Sequence, residues 1–232
     1  MSENIKKITK AFKVDLDSRE NQNILKPSAR PFNNQAHQVD EVVKKIYELI
    51  EDAKHPNDDI ILNHNKIKEA FFSPFKPQLK SAQVFLSHSH ADKNKALKVK
   101  NYLESETNHR VFIDSLFWDY KDNILKEMSK YNDTSKIKDA FTLILRESLQ
   151  DMIEKCPYFV FLQSNNSVSC NQDLSCITYS AWIYEELKIA HSIRESRPTP
   201  MMESWQVSHN ISPFLESLET ITLSKLSHII NS

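Results

Sequence analysis

Between residues 84 and 162 the chain alternates short unbroken apolar runs with segments of helical period, and few folds accept that rhythm. Val84-Phe85-Leu86 is followed by a polar loop and a helix from about Asp92 to Glu104. Val111-Phe112-Ile113 ends in Asp114, and a long helix over roughly Lys136 to Glu154 turns Ile137, Phe141, Leu145, Leu149, Met152 and Ile153 to one side. Tyr158-Phe159-Val160-Phe161-Leu162 comes next, then a helix from Ser180 to about Ser196. Strands that are apolar on both faces and separated by helices predict an α/β fold, a parallel sheet with helices on both faces. Ligands of such sheets sit beyond the carboxyl ends of the strands. Three polar segments meet there: Ser87 to Asp92, Asp114 to Tyr120, and Ser164 to Glu186.

The rest of the chain reads less regularly. The first 36 residues or so are polar and aperiodic, with Pro27 and Pro31, and are expected to be loosely ordered. Val39, Val42, Val43, Ile46, Leu49, Ile50 and Ala53 follow at helical spacing. A second helix is expected near Asn65 to Phe72, with Ile67, Ala70 and Phe71 on one face. Ser73-Pro74-Phe75-Lys76-Pro77 then reads as a linker. The division expected is a small helical N-terminal extension over 1–78 and an α/β domain over 79–232. Beyond Arg197, Pro200-Met201-Met202 and Thr220-Ile221-Thr222-Leu223 are expected to be short strands.

The 232 residues include no glycine, where average usage would give roughly 16. A glycine-rich phosphate loop, a dinucleotide fingerprint and a Gly-x-Ser-x-Gly elbow are therefore excluded. Turns must rely on Asn, Asp, Ser and Pro. Lys and Arg total 30 against 31 Asp and Glu. That balance offers neither a nucleic-acid footprint nor a polybasic membrane surface. The apolar runs are too short to span a bilayer, and Met1 to Lys10 lacks the apolar core of a secretory signal. Cys156, Cys170 and Cys176 match neither a zinc ribbon nor a disulfide framework, so a reducing cytoplasm is expected.

Ser180-Ala181-Trp182-Ile183-Tyr184-Glu185-Glu186-Leu187 holds the residue that most needs explaining. With Ser180 as N-cap, Trp182, Ile183, Leu187, Ile189, Ala190 and Ile193 form one apolar stripe. Glu186 projects into its middle, while Glu185 lies about 100° away near the solvent edge. A carboxylate in an apolar setting must find a partner, take up a proton or serve a ligand. From pattern alone, a helix carboxylate paired with a nearby cation is the better explanation of Glu186, and Trp182 reads as a core aromatic.

Val84 to Lys93 (Val-Phe-Leu-Ser-His-Ser-His-Ala-Asp-Lys) resembles the first strand and loop of Toll/interleukin receptor (TIR) domains. Val111-Phe112-Ile113-Asp114 resembles the second strand, and Ser180 to Leu187 the Ser-x-Trp-x-x-x-Glu-Leu segment of the third helix. The likeness covers about 79–232 and is nearest to stand-alone bacterial TIR-like proteins, with Phe117-Trp118-Asp119-Tyr120 as the aromatic loop after the second strand. It implies a flavodoxin-like fold and, in enzymatic members, cleavage of NAD between nicotinamide and ribose. It implies Glu186 as catalytic residue and Ser87, His88, Ser89, His90, Asp114, Trp118, Ser180 and Trp182 as contacts to the dinucleotide. NAD is then a substrate, with no metal or other cofactor required, and the implied partner is a second copy of the chain. The loop after Asp114 lacks the glycine and proline often found there, and the stretch from Asp114 to Lys136 is long.

Two rival readings stand beside this one. A TIR domain can work by assembly alone, without catalysis. His88-x-His90-x-Asp92 after a strand also opens the metal site of several hydrolase families. Here Lys93 stands where a further histidine is common, and no second His/Asp cluster completes the sphere.

Overall fold

The computed structural model describes residues 10–25, 44–49, 64–72, 82–115, 123–126, 129, 135–170, 175–192 and 209–232. These fall into two compact units. The first draws on Met1–Phe32, Ser81–Ser115 and Gln150–Ser232, and the second on Asn33–Lys80 and Leu116–Leu149.

The first unit is built on a five-stranded sheet. Its strands are β1 (Lys10–Asp15), β2 (Ala82–Ser87), β3 (Arg110–Ile113), β4 (Tyr158–Gln163) and β8 (Glu219–Thr220), in the order β3-β2-β4-β1-β8. Every neighbouring pair is parallel. The expected α/β class therefore holds. Val84, Phe85, Leu86, Val111, Phe112, Ile113 and Phe159 through Leu162 are all buried, as strands covered on both faces must be. The rings of Phe112, Phe85 and Phe159 stack in turn across three adjacent strands, each 5.9 Å from the next.

Strand β1 overturns the expectation of a loosely ordered start. It runs beside β4 for six residues, from Lys10 opposite Tyr158 to Asp15 opposite Gln163, and borders β8 on its other side. Ala11, Phe12 and Val14 are buried. The boundary expected at 78/79 thus does not separate the N-terminal residues from the sheet. The signal is faint because Lys13 interrupts a run of only three apolar residues, Ala11, Phe12 and Val14. Backbone pairing on both sides supplies what side-chain patterning does not.

Asn21, in the helix α1 (Arg19–Ile24), fixes this strand at both ends of the chain. Its amide donates to the Asp15 carbonyl at 2.7 Å, and its side-chain oxygen accepts from the Leu223 N–H at 2.9 Å. Helix α3 (Lys93–Glu106) connects β2 to β3. A second sheet holds the short antiparallel strands β5 (Ser169–Cys170), β6 (Cys176–Thr178) and β7 (His209–Asn210). The helix bearing Glu186, α5 (Ala181–Ser192), follows β6, and α6 (Ser212–Glu216) follows β7. Thr220-Ile221-Thr222-Leu223 is only partly a strand. Glu219–Thr220 forms β8, and Thr222 caps the helix α7 (Leu223–Asn231) by accepting from the Lys225 N–H.

The second unit holds α2 (His64–Phe72), in which Ile67 and Ala70 are buried as expected, a helical stretch at 44–49 with Ile46 buried, and most of α4 (Ser135–Lys155). Leu49 in that stretch is half-buried, whereas Val39, Val42, Val43, Ile50 and Ala53, the linker over 73–77 and the strand at 200–202 lie outside the described residues, as does Ile193. Among the described residues no helix is long and apolar enough to cross a membrane.

Candidate functional site

The chain leaves β2 for β3 on one side and later places β4 on the other. The strand order therefore reverses at the carboxyl end of β2, where open parallel sheets form a crevice. Ser87 is the last residue of β2, His88 follows it, Asp114 and Ser115 follow β3, and Ser164 follows β4. All five are buried, and Glu186 joins them from α5 with none of its surface exposed.

Ser87 Oγ donates to Glu186 Oε2. The other carboxyl oxygen, Oε1, is buried and, among the described residues, receives no hydrogen bond from a donor group. Burial pushes the Glu186 carboxyl well above the usual carboxylate range. The Asp114 charge and a shared hydrogen bond with Asp114 push the same way, and the Ser87 hydroxyl opposes them. Glu186 is thus held as a neutral acid against Asp114, since two adjacent carboxylates do not readily ionise together.

His88 closes the far side of Asp114. Its Nδ1 lies 2.7 Å from the Ser89 carbonyl, which can only accept, so Nδ1 carries a proton. Its Nε2 is 3.0 Å from Asp114 Oδ1. With Nε2 bare, two acceptors face each other with no hydrogen between them, and a proton there turns the approach into an ion pair. Burial disfavours the charged ring. The Asp114 charge and hydrogen bond, the Ser89 carbonyl and the Asp92 charge together outweigh burial, so the proton is held above the ordinary imidazole range. Ser87, Glu186, Asp114 and His88 form a continuous buried chain in which the protonated forms of Glu186 and His88 are both favoured.

The expected site residues do not all meet there. Ser89 contributes its carbonyl, while His90 is exposed in a 3-10 turn, His90–Asp92. Ser180 is the helix cap, its Oγ accepting from the Ile183 N–H at 3.3 Å. Trp182 is partly exposed. Trp118 lies outside the described residues, as do Phe117 and Tyr120. The three side chains of the possible metal motif diverge. His88 turns to Asp114, His90 to solvent, and Asp92 accepts from Ser164 Oγ and from Asn166 Nδ2 at 3.0 Å. Among the described residues no group of three or more His, Cys, Asp or Glu is placed to hold a metal ion.

Glu185 corrects the helix reading. Expected near solvent, it is 2 % exposed. The wheel assumes one covered face, whereas β6 and α6 pack on α5 as well. There Tyr184 stacks on His209 at 4.6 Å and meets Phe214 at 5.6 Å. Both glutamates of the pair are buried, so burial alone does not single out Glu186; its neighbours do.

A second network ties the loops of this edge together. Lys95 Nζ lies 2.9 Å from Asp17 and 3.6 Å from Asp92, and Asp17 accepts from the Asn165 N–H at 3.0 Å. Lys95 holds the Asp17 carboxyl below its usual range, helped by the Asn165 N–H, and is itself raised by Asp17. Asp17 and Lys95 carry no signal of their own in the sequence, and Ser164 is marked only as the start of a polar segment expected at this edge. Recognising β1 as a strand would have put Asp15 and Asp17 on this edge with the polar residues that follow β2, β3 and β4.

The cysteines also depart from expectation. Cys170 and Cys176 are joined by a disulfide, and Cys156 is buried outside it. Antiparallel pairing of β5 with β6 sets Cys170 opposite Cys176. A spacing of six residues does not reveal that hairpin. Comparison of the chain with protein-family models, with curated proteins and with solved structures finds no match.

Proposed function

We propose that this chain is a TIR-like enzyme that cleaves NAD between nicotinamide and ribose, as a hydrolase or a cyclase, in bacterial defence or signalling. One observation carries the reading. The carboxyl of Glu186 stands at the strand-order reversal of a parallel sheet, bonded to Ser87 and backed by the Asp114–His88 pair. The order of β3, β2 and β4 supports a flavodoxin-like arrangement for three strands, with the N-terminal β1 in the fourth place.

The chemistry follows from the residues. Breaking the nicotinamide–ribose bond builds positive charge on the ribose, which an adjacent carboxylate stabilises. Nicotinamide leaves neutral, so no strong acid is needed. Glu186 must first lose its proton. Ser87 favours that ionisation, and a protonated His88 offsets the opposing charge of Asp114. Because Glu186 is fully covered in this conformation, substrate reaches it only when the cover opens. Self-association through the aromatic segment 115–120, in a cytoplasmic protein, is part of the same proposal and rests on the sequence.

The complete burial of Glu186 favours one second reading, a non-catalytic TIR module in which the carboxyl chain only fixes the fold. Nicotinamide release from NAD by concentrated protein, compared with E186Q, separates the two. The enzyme reading requires release that falls by on the order of a hundredfold or more in the variant. Absence of release in a folded, self-associated wild type would favour the module.

A further inference from the structure

We propose that Cys170 and Cys176 form a reversible dithiol–disulfide site for low-molecular-weight disulfides of the glutathione class. Its state sets how firmly the strand leading into the Glu186 helix is held.

Access is the first argument. Cys170 is exposed and Cys176 partly so, and exposed disulfides are the labile ones. The chain's other cysteine, Cys156, is buried and takes no part. Where a reducing compartment contains a disulfide, it is usually transient or redox-sensing.

Position is the second argument. Strand β5 is two residues long and, among the described residues, meets β6 at two register pairs, Ser169 with Ile177 and Cys170 with Cys176. A two-residue pairing has little stability of its own, so the sulfur bridge strengthens the tie of β5 to β6. On its other side β6 pairs with β7 and is fixed by the Cys176 N–H donating to Ser212 Oγ at 2.6 Å and the Ile211 N–H donating to the Cys176 carbonyl at 2.9 Å. At the third and last residue of the strand, the Thr178 hydroxyl accepts from the Ser180 N–H at 3.2 Å, and Ser180 caps α5. The bridge thus clamps the open side of the segment that positions the helix.

The exchange balances without a further reagent. The Cys170 thiolate attacks one sulfur of the small disulfide, forming a mixed disulfide and expelling one thiolate, which takes a proton. The Cys176 thiol loses its proton, attacks Cys170 Sγ, closes the bridge and expels the second thiol. Two protein thiols are oxidised and one small disulfide is reduced; excess thiol reverses both steps. Any consequence for Glu186 chemistry rests on the function proposed above, whereas the exchange and its effect on the strand do not.

The test incubates the full chain in oxidised or reduced glutathione, then counts alkylatable thiols by intact mass after denaturation and maps amide hydrogen exchange. One thiol in the oxidised buffer and three in the reduced buffer are expected, interconverting on buffer exchange. Amides of 176–183 should exchange several-fold faster in the reduced form. C170S/C176S should match the reduced pattern in both buffers. Three thiols in both buffers, one thiol in both, or identical exchange in the two states would overturn the proposal. Nicotinamide release followed alongside tests the enzymatic reading separately, and its absence in both states counts against that reading alone.

Discussion

Replacing Glu186 with glutamine tests the buried acid without removing it. Glutamine has the same shape, keeps a carbonyl oxygen for the Ser87 hydroxyl and puts an N–H₂ where the protonated carboxyl faces Asp114. It is a permanent copy of the neutral acid. Because the folded Glu186 holds its proton more tightly than the unfolded chain, its contribution to stability is full below the ordinary value of 4.5. It is lost as pH rises toward the folded value. The loss is tenfold in the folding equilibrium per pH unit while the folded acid stays protonated, so between pH 5 and pH 6.5 it reaches roughly 2 kcal/mol at most. That window isolates the group. His88, also raised, adds its own loss only above the ordinary imidazole value of 6.5. Asp17, lowered by Lys95, changes stability only as pH falls through the carboxylate range. Urea unfolding of both proteins at several pH values within the window reads the difference. The variant should equal or exceed wild type in stability, with an advantage that grows with pH. Parallel pH profiles, or an E186Q protein that does not fold, would refute the buried neutral acid.

Ser87→Ala removes the hydroxyl that donates to Glu186 Oε2 and weakens the satisfaction of a buried carboxyl, costing about 1–3 kcal/mol in denaturant unfolding. It should also raise the Glu186 proton affinity and extend the pH-dependent loss upward. Phe12→Ala empties a position 2 % exposed in an inner strand and should cost about 3–5 kcal/mol; a cost below 1 kcal/mol would show that β1 does not belong to the sheet. Under the enzymatic reading, nicotinamide release should rise with pH as Glu186 ionises, and Asp114→Asn should move that rise to lower pH.

The sequence made three adjacent strands of the sheet legible because β2, β3 and β4 carry unbroken apolar runs that need no neighbour to be recognised. It also marked Glu186, since one carboxylate in an apolar helix stripe contradicts the local pattern. Strand β1 is hidden because its three apolar residues are broken by Lys13, and its place depends on backbone pairing to residues some 150 positions away. Glu185 was misplaced because a helical wheel knows one covered face and α5 has more than one. The partnership of Asp114 with Glu186 and His88 was equally out of reach. Nothing local in Ile113-Asp114-Ser115 says which side chains will meet it. The same holds for the Cys170–Cys176 bridge, which exists only once β5 and β6 have paired.

Nicotinamide release from NAD, measured at high protein concentration for wild type and E186Q and normalised to folded protein, tests the central claim most directly. The account predicts release by wild type and near-complete loss in a variant that is folded and at least as stable. Equal release by both proteins would contradict the assignment of Glu186, and release by neither would contradict the enzyme.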